Sequence, residues 1–186
     1  VHANLLTRLA RLFLPSLKII STAHNTHEGG KLRDWAYRLT NPLCQINTTI
    51  SEAATRRFTN ENVLPRHNTY TVFNGIDTDR FIPPTITKVT TSPFCWLAVG
   101  RLVDQKDYPT LIQAFTHISS SKLLIAGQGP LDTTLKQLVK HYGIEDRVEF
   151  IGLCDDTAPL YRQVDGFVLS SAWEGYGLVV AEAMSA

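Results

Sequence analysis

The feature that most constrains the fold is a pair of glutamates, Glu174 and Glu182, on either side of a glycine-containing turn near the end of the sequence. The residues before the turn, 165–171, form a short apolar run that predicts a fully buried strand. Residues 178–186 are rich in Ala, Leu and Met and predict the start of a helix. The N-terminus of such a helix offers N–H groups and a partial positive charge to a phosphate or a hydroxyl-rich ligand. The sequence therefore predicts an α/β protein with a ligand site at this turn.

Helical periodicity places Glu182 on the inward face of that helix. It shares a stripe with Leu178, Ala181 and Ser185, because residues three and four apart lie on the same side of a helix. A buried carboxylate without a partner is strongly destabilising. We therefore expect a polar group or a polar ligand beside Glu182.

The composition is that of a folded protein with a hydrophobic core, since 44% of the 186 residues are apolar and 19% are charged. The net charge of +1 gives no indication of a nucleic-acid partner. Cys44, Cys95 and Cys154 are far apart and lack C-x-x-C spacing, which favours reduced thiols in a cytosolic protein over disulfides or a zinc site. No apolar run approaches the roughly 20 residues of a transmembrane helix.

Strands and helices alternate along the chain with short loops, which predicts parallel sheets joined by right-handed crossovers. The helices predicted over residues 3–14 and 31–39 are amphipathic, and Arg8 lies outside the apolar face of the first. Ser51 precedes a third helix and is a good N-cap residue. The positions predicted to face inward are Leu5, Leu9, Leu12 and Phe13 in the first helix and Leu32, Trp35, Ala36 and Leu39 in the second.

The spacing of the two glutamates resembles the E-x7-E motif of retaining glycosyltransferases of the GT-B fold. More narrowly, Glu174-Gly175-Tyr176-Gly177-Leu178 followed by Glu182-Ala183-Met184 is similar to the E-G-[FY]-G-L-x-x-x-E-A-M pattern of glycosyltransferase family 4. The alternative is a surface glutamate plus a helix-capping glutamate, which the combination of both glycines, both glutamates and the strand disfavours. Val179 departs from the pattern, because many members of the family have proline there.

Three further blocks resemble the same family in the same order. Thr22-Ala23-His24 is similar to its Thr-x-His at a strand end, and Asn74-Gly75-Ile76-Asp77 is similar to its N-G-[IV]-D before the interdomain connection. Gly100-Arg101 with Lys106 matches its strand-Gly-Arg-x-x-x-x-Lys arrangement. Solvated surface cations and a loop histidine without a role are the alternatives for these side chains.

The resemblance implies two Rossmann-like parallel-sheet domains of the GT-B type. Residues 1–82 would form the C-terminal part of the N-terminal, acceptor-side domain, and the Thr- and Pro-rich stretch 83–93 the linker. Residues 94–186 would form the N-terminal part of the nucleotide-sugar-binding domain. We expect both domains to be incomplete.

The resemblance also implies the residues of the site. Glu174 and His24 are the catalytic candidates, with both reaching the donor sugar, and Glu182 would bind the ribose. The other residues are Gly100, Arg101 and Lys106 for the pyrophosphate, Gly175, Tyr176, Gly177 and Leu178 for backbone contacts to sugar and phosphate, and Gly152 and Leu153 near the nucleobase.

The function implied is that of a retaining, metal-independent glycosyltransferase that uses no cofactor. It would move a hexose or N-acetylhexosamine from a nucleotide sugar, by family frequency a UDP-sugar, to a saccharide or lipid-linked saccharide. This reaction belongs to bacterial polysaccharide, lipopolysaccharide or glycolipid biosynthesis. We expect the protein in the cytoplasm, in peripheral contact with the inner face of the cytoplasmic membrane, and no nucleic-acid partner.

Two alternatives stay open at this point. A non-catalytic nucleotide-sugar-binding module would use Arg101, Lys106 and Glu182 but neither catalytic candidate. A metal-dependent enzyme of the GT-A type would use Asp77-Thr78-Asp79 as a D-x-D motif, because two carboxylates at this spacing can chelate a divalent ion. The surrounding N-G-I-D pattern favours the GT-B interpretation of the two aspartates.

Overall fold

The computed structural model describes residues 2–26, 30–85 and 93–186. The chain divides into two compact units, Val1–Gly75 with Glu174–Tyr176, and Ile76–Trp173 with Gly177–Ala186. Most of the predicted linker, residues 86–92, lies outside the described residues. No helix of the described ranges is long and apolar enough to cross a membrane.

The first unit has three parallel strands in the order β1-β2-β3, with Ile20 paired to Ile46 and Asn47 to Thr69. Each strand is short and follows a helix, as the alternation in the sequence predicts. The elements are α1 (His2–Ala10), β1 (Ile20–Ala23), α2 (Lys31–Thr40), β2 (Ile46–Thr49), α3 (Glu52–Asn60) and β3 (Thr69–Thr71).

The N-terminus of α3 is capped by a side chain. The Ser51 hydroxyl accepts a hydrogen bond from the Ala54 amide at 3.2 Å, while Ser51 itself has extended backbone angles. This satisfies one of the N–H groups that the first turn of a helix leaves unpaired. The predicted N-cap is confirmed.

The prediction for α1 is wrong for Arg8, which is completely buried. Its guanidinium donates hydrogen bonds to the Tyr37 carbonyl oxygen at 3.3 Å and to the Thr40 hydroxyl at 3.2 Å, and lies 4.7 Å from the centre of the Tyr37 ring. It also donates to the side-chain oxygen of Asn47 on β2. These hydrogen bonds from the two terminal nitrogens offset part of the cost of burying the cation, and they link α1 to α2 and to the sheet.

The predicted inward face of α2 is also wrong. Leu32 and Trp35 are 80% and 56% exposed, whereas Asp34 and Tyr37 are buried. The Asp34 carboxylate accepts a hydrogen bond from Arg57 of α3 at 2.7 Å, in an ion pair with little solvent access. The helix is therefore oriented by polar partners on its neighbours rather than by its leucine stripe.

The second unit has four parallel strands in the order β6-β5-β4-β7. Leu97, Leu123 and Ile125 are fully buried. Leu123 and Ile125 of β5 belong to the cluster formed with α4 and α5, whereas Leu97 of β4 belongs to a second cluster, which contains Tyr161 of α6. The elements are β4 (Phe94–Val99), α4 (Tyr108–Phe115), β5 (Ser121–Ala126), α5 (Asp132–His141), β6 (Val148–Gly152), α6 (Ala158–Gln163), β7 (Gly166–Phe167) and α7 (Leu178–Ser185).

The strand predicted before the glutamate pair is shorter and less buried than expected. β7 pairs with β4 over two residues, and residues 168–171 are partly exposed. The reason is the position of β7 at the end of the described sheet, where it has a neighbour on one side. The prediction of a fully buried strand over residues 165–171 is therefore wrong.

Residues 76–82 pack within the second unit, although the predicted boundary placed them in the first. Phe81 is buried in the cluster around Leu97 and Tyr161, and its carbonyl oxygen accepts a hydrogen bond from the Ser185 hydroxyl. Arg80 forms an ion pair with Asp156 at 2.8 Å, and this hydrogen bond lowers the pKa of the Asp156 carboxyl. The observed division of the chain falls at Gly75 and Ile76 instead.

The loops after β4 and β5 pass each other in backbone contact. A Cβ atom at Gly127 would lie 1.9 Å from the Gly100 carbonyl oxygen, and one at Gly129 would lie 2.3 Å from the Leu102 carbonyl oxygen. The Leu102 amide donates to the Gln128 carbonyl oxygen at 2.9 Å. Glycine is thus required at both positions by the close approach of the two loops.

Replacing Gly127 by alanine is expected to destabilise the second unit by about 3 kcal/mol or more, because the added Cβ must displace the backbone of Gly100. Chemical denaturation of the full-length protein measures this loss. Gly143→Ala is the matched control: φ is +62° there, but the added Cβ would meet nothing within 4 Å. Its expected cost is about 1 to 2 kcal/mol, from the left-handed backbone alone. Equal losses in both variants would contradict the close approach as the stronger constraint.

Candidate functional site

The carboxyl ends of β4, β5 and β6 border an open cleft of about 890 Å³ in the second unit. In open parallel sheets, ligands bind beyond this edge, because the strand-to-helix loops gather there. Gly100 and Arg101 line the cleft from the loop after β4, and Gly152 and Leu153 line it from the end of β6. The structure therefore brings together residues predicted for the pyrophosphate and residues predicted for the nucleobase, although Gly100 and Gly152 are 52 positions apart in the sequence.

Lys106 lies beside this group. Its Cε atom is 3.1 Å from the position that a Cβ at Gly100 would occupy, so the alkyl stem of the lysine runs along the Gly100 backbone. The Tyr108 hydroxyl donates to the Gly100 carbonyl oxygen at 3.1 Å. Gly100, Arg101 and Lys106 thus form one neighbourhood at the end of β4, as their predicted common role requires.

The loop that carries Lys106 is bound to the segment that leads toward Glu174. The Ser170 hydroxyl donates to the Lys106 carbonyl oxygen at 2.7 Å, and the Ala172 amide donates to the Gln105 carbonyl oxygen at 2.9 Å. The Gln105 side chain in turn donates to the Trp173 carbonyl oxygen at 2.9 Å. Gln105 was not among the predicted site residues, because its only signal in the sequence is its position between two of them.

The two nucleobase candidates, Gly152 and Leu153, have different structural features: an unusual backbone angle in the first and an exposed side chain in the second. Gly152 ends β6 with a φ of +83°, at an irregularity in its pairing with β5. Leu153 is 66% exposed. The Gly152 carbonyl oxygen accepts a hydrogen bond from the Gly127 amide at 2.7 Å, so the backbone here belongs to the wall of the cleft. Contact with a base through backbone groups stays a prediction.

Glu182 has the polar partner that its sequence position demanded. The Tyr161 hydroxyl of α6 donates to Glu182 Oε2 at 2.9 Å and lies 3.3 Å from the Val179 carbonyl oxygen. Burial, followed by the charge of Glu182 and the hydrogen bond to it, raises the pKa of the Tyr161 hydroxyl well above its ordinary value. Tyr161 was not among the predicted site residues, because its position on α6 is that of an ordinary core aromatic.

The predicted glutamate motif is divided between the two units. Glu174, Gly175 and Tyr176 are grouped with the first unit, and α7 with its N-cap Gly177, at a φ of +72°, is grouped with the second. Leu178, the first residue of α7, is 38% exposed. The predicted backbone contacts of these residues to sugar and phosphate stay predictions.

In the first unit, the loop residue Gly175 lies against the end of β1. A Cβ atom at Gly175 would stand 2.2 Å from the His24 carbonyl oxygen and 2.9 Å from the Ile50 side chain. His24 itself is exposed. The structure therefore places the residue after Glu174 next to the backbone of the other catalytic candidate, and this approach requires glycine.

Asp77, the first aspartate of the D-x-D alternative, has a local structural role. Asp77 Oδ1 accepts hydrogen bonds from the amides of Asp79 and Arg80, both at 3.1 Å. The Phe81 amide donates to the Asp77 carbonyl oxygen at 3.0 Å. Asp77 thus caps a turn, as Asp commonly does.

Residues 84–186, more than half of the chain, match the family described as Glycosyl transferases group 1. The chain belongs to this family. Membership of the narrower family 4 stays a prediction.

Curated relatives carry names in keeping with glycosyl transferases group 1. The chain is 35% identical over 136 residues to N-acetyl-alpha-D-glucosaminyl L-malate synthase of Bacillus anthracis, covering 68% of this chain and 36% of that protein. It is 37% identical over 86 residues to the lipopolysaccharide core biosynthesis glycosyltransferase LpsE of Rhizobium meliloti, covering 46% and 25%. The chain thus spans about a quarter to a third of the length of these relatives.

Solved structures match nearly the whole chain. Anabaena HepE in complex with UDP and glucose gives a TM-score of 0.84 at 21% identity, covering 99% of this chain and 54% of that one. Sucrose-phosphate synthase from Thermosynechococcus elongatus gives 0.79 at 23% identity, covering 97% and 52%. These neighbours are GT-B glycosyltransferases, so the predicted GT-B α/β fold of this group 1 chain is confirmed.

The buried hydroxyl of Tyr161 predicts a loss of stability at high pH. Above about pH 10 an unfolded tyrosine ionises, whereas Tyr161 in the folded protein keeps its proton because its pKa is raised. The unfolded state then binds fewer protons, and the free energy of unfolding falls by up to about 1.4 kcal/mol per pH unit. Denaturation at a series of pH values should give a shallower fall for Tyr161→Phe than for the wild type. The same fall in both proteins would contradict the assignment.

Proposed function

We propose that the protein is a retaining, metal-independent glycosyltransferase. It moves a hexose or N-acetylhexosamine from a nucleotide sugar to a saccharide or lipid-linked saccharide in polysaccharide or glycolipid biosynthesis. The observation that carries the proposal is the cleft of the second unit, where Arg101, with Lys106 beside it, adjoins Gly152 and Leu153 within a glycosyl transferases group 1 chain.

A UDP-sugar is the proposed substrate. HepE was crystallised with UDP, with UDP and glucose, and with UDP-glucose. The names of the relatives support saccharide acceptors, among them a lipopolysaccharide core glycosyltransferase and a diphospho-undecaprenol N-acetylgalactosaminyltransferase of Campylobacter jejuni. A lipid-linked acceptor of this kind would bring the enzyme to the inner face of the cytoplasmic membrane.

The reaction requires positive charge near the diphosphate leaving group, because negative charge develops there. The bond between the sugar C1 and the diphosphate oxygen breaks while the acceptor oxygen bonds to C1 on the same face, and the acceptor proton passes to the leaving phosphate. Arg101 and Lys106 would stabilise the charge that develops on the diphosphate, together with backbone N–H groups near the N-terminus of α7. Side-chain cations can take this role without a metal ion.

The carboxylates would orient the substrate. Glu174 would accept hydrogen bonds from hydroxyls of the donor sugar, and His24 would contact that sugar from the first unit. Glu182 would accept from the ribose. Positioning of this kind raises the rate by holding the reacting atoms in line, and it requires no covalent intermediate on the enzyme.

Calorimetry of the full-length protein with UDP and GDP in the presence of EDTA tests the donor site. We expect micromolar binding of one nucleotide and a loss of about 10- to 100-fold in Arg101→Ala and Glu182→Ala, because each removes a charged hydrogen-bonding partner. Lys140→Ala, which removes an exposed cation of α5, is the matched control and should bind as the wild type does.

Two outcomes would contradict this assignment. Binding that appears only when Mn²⁺ is added, and is lost in Asp77→Asn, would favour the metal-dependent alternative. Unchanged binding in both variants would remove Arg101 and Glu182 from the site.

Glu174→Ala separates an enzyme from a binding module. It should leave nucleotide binding within about threefold of the wild type but lower the rate of sugar transfer at least 100-fold, because it acts on the sugar and not on the nucleotide. Transfer assays with the nucleotide sugar bound by the wild type measure the rate. A protein that binds the nucleotide sugar and transfers nothing would support the binding module.

A further inference from the structure

We propose that Tyr161 is a positioning residue that holds the Glu182 carboxylate in the orientation needed to bind the ribose of the nucleotide sugar. This inference rests on the proposed function and concerns a residue of α6 that does not itself contact the substrate.

The phenol is fixed on three sides. Tyr161 is 6% exposed, and its ring packs edge-on against Phe81 at a centroid distance of 5.8 Å and in a tilted arrangement against Phe167 at 5.7 Å. The ring therefore has no room to turn the hydroxyl away from α7. A glutamate side chain, by contrast, has three rotatable bonds and no fixed direction of its own. Because the packed ring fixes the position of the hydroxyl, its 2.9 Å hydrogen bond to Oε2 restricts the rotation of the Glu182 side chain.

Only one carboxylate oxygen is used by this contact. Oε2 accepts from Tyr161, and among residues 2–26, 30–85 and 93–186 no group donates a hydrogen bond to Oε1. Glu182 is half-buried, so Oε1 is the oxygen that can accept from a ribose hydroxyl. A carboxylate accepts hydrogen bonds and does not donate them when ionised, which matches the hydroxyl donors of a ribose.

The charge around Glu182 suits the same task. Tyr161 is a neutral partner because burial and the charge of Glu182 raise the pKa of its hydroxyl. Arg80, whose guanidinium is paired with Asp156, also experiences the field of Glu182. A hydrogen bond from neutral Tyr161 places no second charge beside the Glu182 carboxylate.

The test compares Tyr161→Phe with the wild type in the full-length protein. Phenylalanine keeps the ring packing and removes the hydroxyl. The probes are the nucleoside diphosphate that the wild type binds, UDP or GDP, and its 2′,3′-dideoxy form, which lacks the ribose hydroxyls. Tyr142→Phe is the control, since it removes the hydroxyl of a surface tyrosine at the end of α5.

We expect Tyr161→Phe to weaken binding of the ribonucleotide about 3- to 10-fold and to leave binding of the dideoxy form unchanged. In the Glu182→Ala background, Tyr161→Phe should have no further effect, because the two residues act as one unit. In transfer assays the KM for the nucleotide sugar should rise while kcat stays within about twofold. Tyr142→Phe should match the wild type in every measurement.

A merely structural role of Tyr161 would weaken both nucleotide forms equally, and that result would overturn the proposal. Unchanged binding in Tyr161→Phe would overturn it as well. If the wild type binds ribonucleotide and dideoxynucleotide equally, Glu182 does not read the ribose and this inference fails while the donor site stands. If the wild type binds neither UDP nor GDP, the proposed function fails with it.

Discussion

The candidate site depends on a contact between two stretches of bare backbone. The loop after β5 crosses the loop after β4 so closely that Gly127 has no space for a side chain beside the Gly100 carbonyl oxygen. A hydrogen bond from the Leu102 amide to the Gln128 carbonyl oxygen holds this crossing. Because both loops leave neighbouring parallel strands at the same edge, the crossing sets the floor of the cleft and places Arg101 at its side. The wall formed by Gly152 joins the same network through the Gly127 amide.

Much of the fold could be predicted, because it follows from the alternation of short apolar strands and helices. Helices and strands alternate in both units as predicted, and Ser51 caps α3 as its chemistry suggested. The orientation of the helices could not be predicted in the same way. An amphipathic pattern assumes that the leucine stripe faces the core, but Arg8 and Asp34 are buried because distant groups satisfy them. Such partners are decided by tertiary packing and leave no mark on the local sequence.

In the candidate site, too, the positions of residues at strand ends could be predicted, whereas contacts with distant elements could not. Gly100, Arg101, Gly152 and Leu153 border one cleft because parallel strands end at one edge, and this geometry follows from the predicted topology. The demand of Glu182 for a partner was also predictable from its helical position. The identity of the partner could not be predicted. It is Tyr161, on another helix and 21 residues earlier, and a tyrosine in an amphipathic helix is most simply interpreted as a core residue. Gln105 was missed for a related reason, since its role depends on where residues 170–173 return to the sheet.

The short segment around Phe81 bears on how such proteins exchange parts during evolution. It precedes the first strand of the second unit, yet Phe81 is embedded between Tyr161 and the sheet, and Arg80 is tied to Asp156. A recombination event that exchanged the second unit at the proline-rich stretch would separate Phe81 from the residues that it packs against, Leu97 and Tyr161. Functional chimeras between relatives should therefore be joined ahead of Ile76. The segment to be exchanged then begins 18 residues before Phe94, the first residue of the sheet.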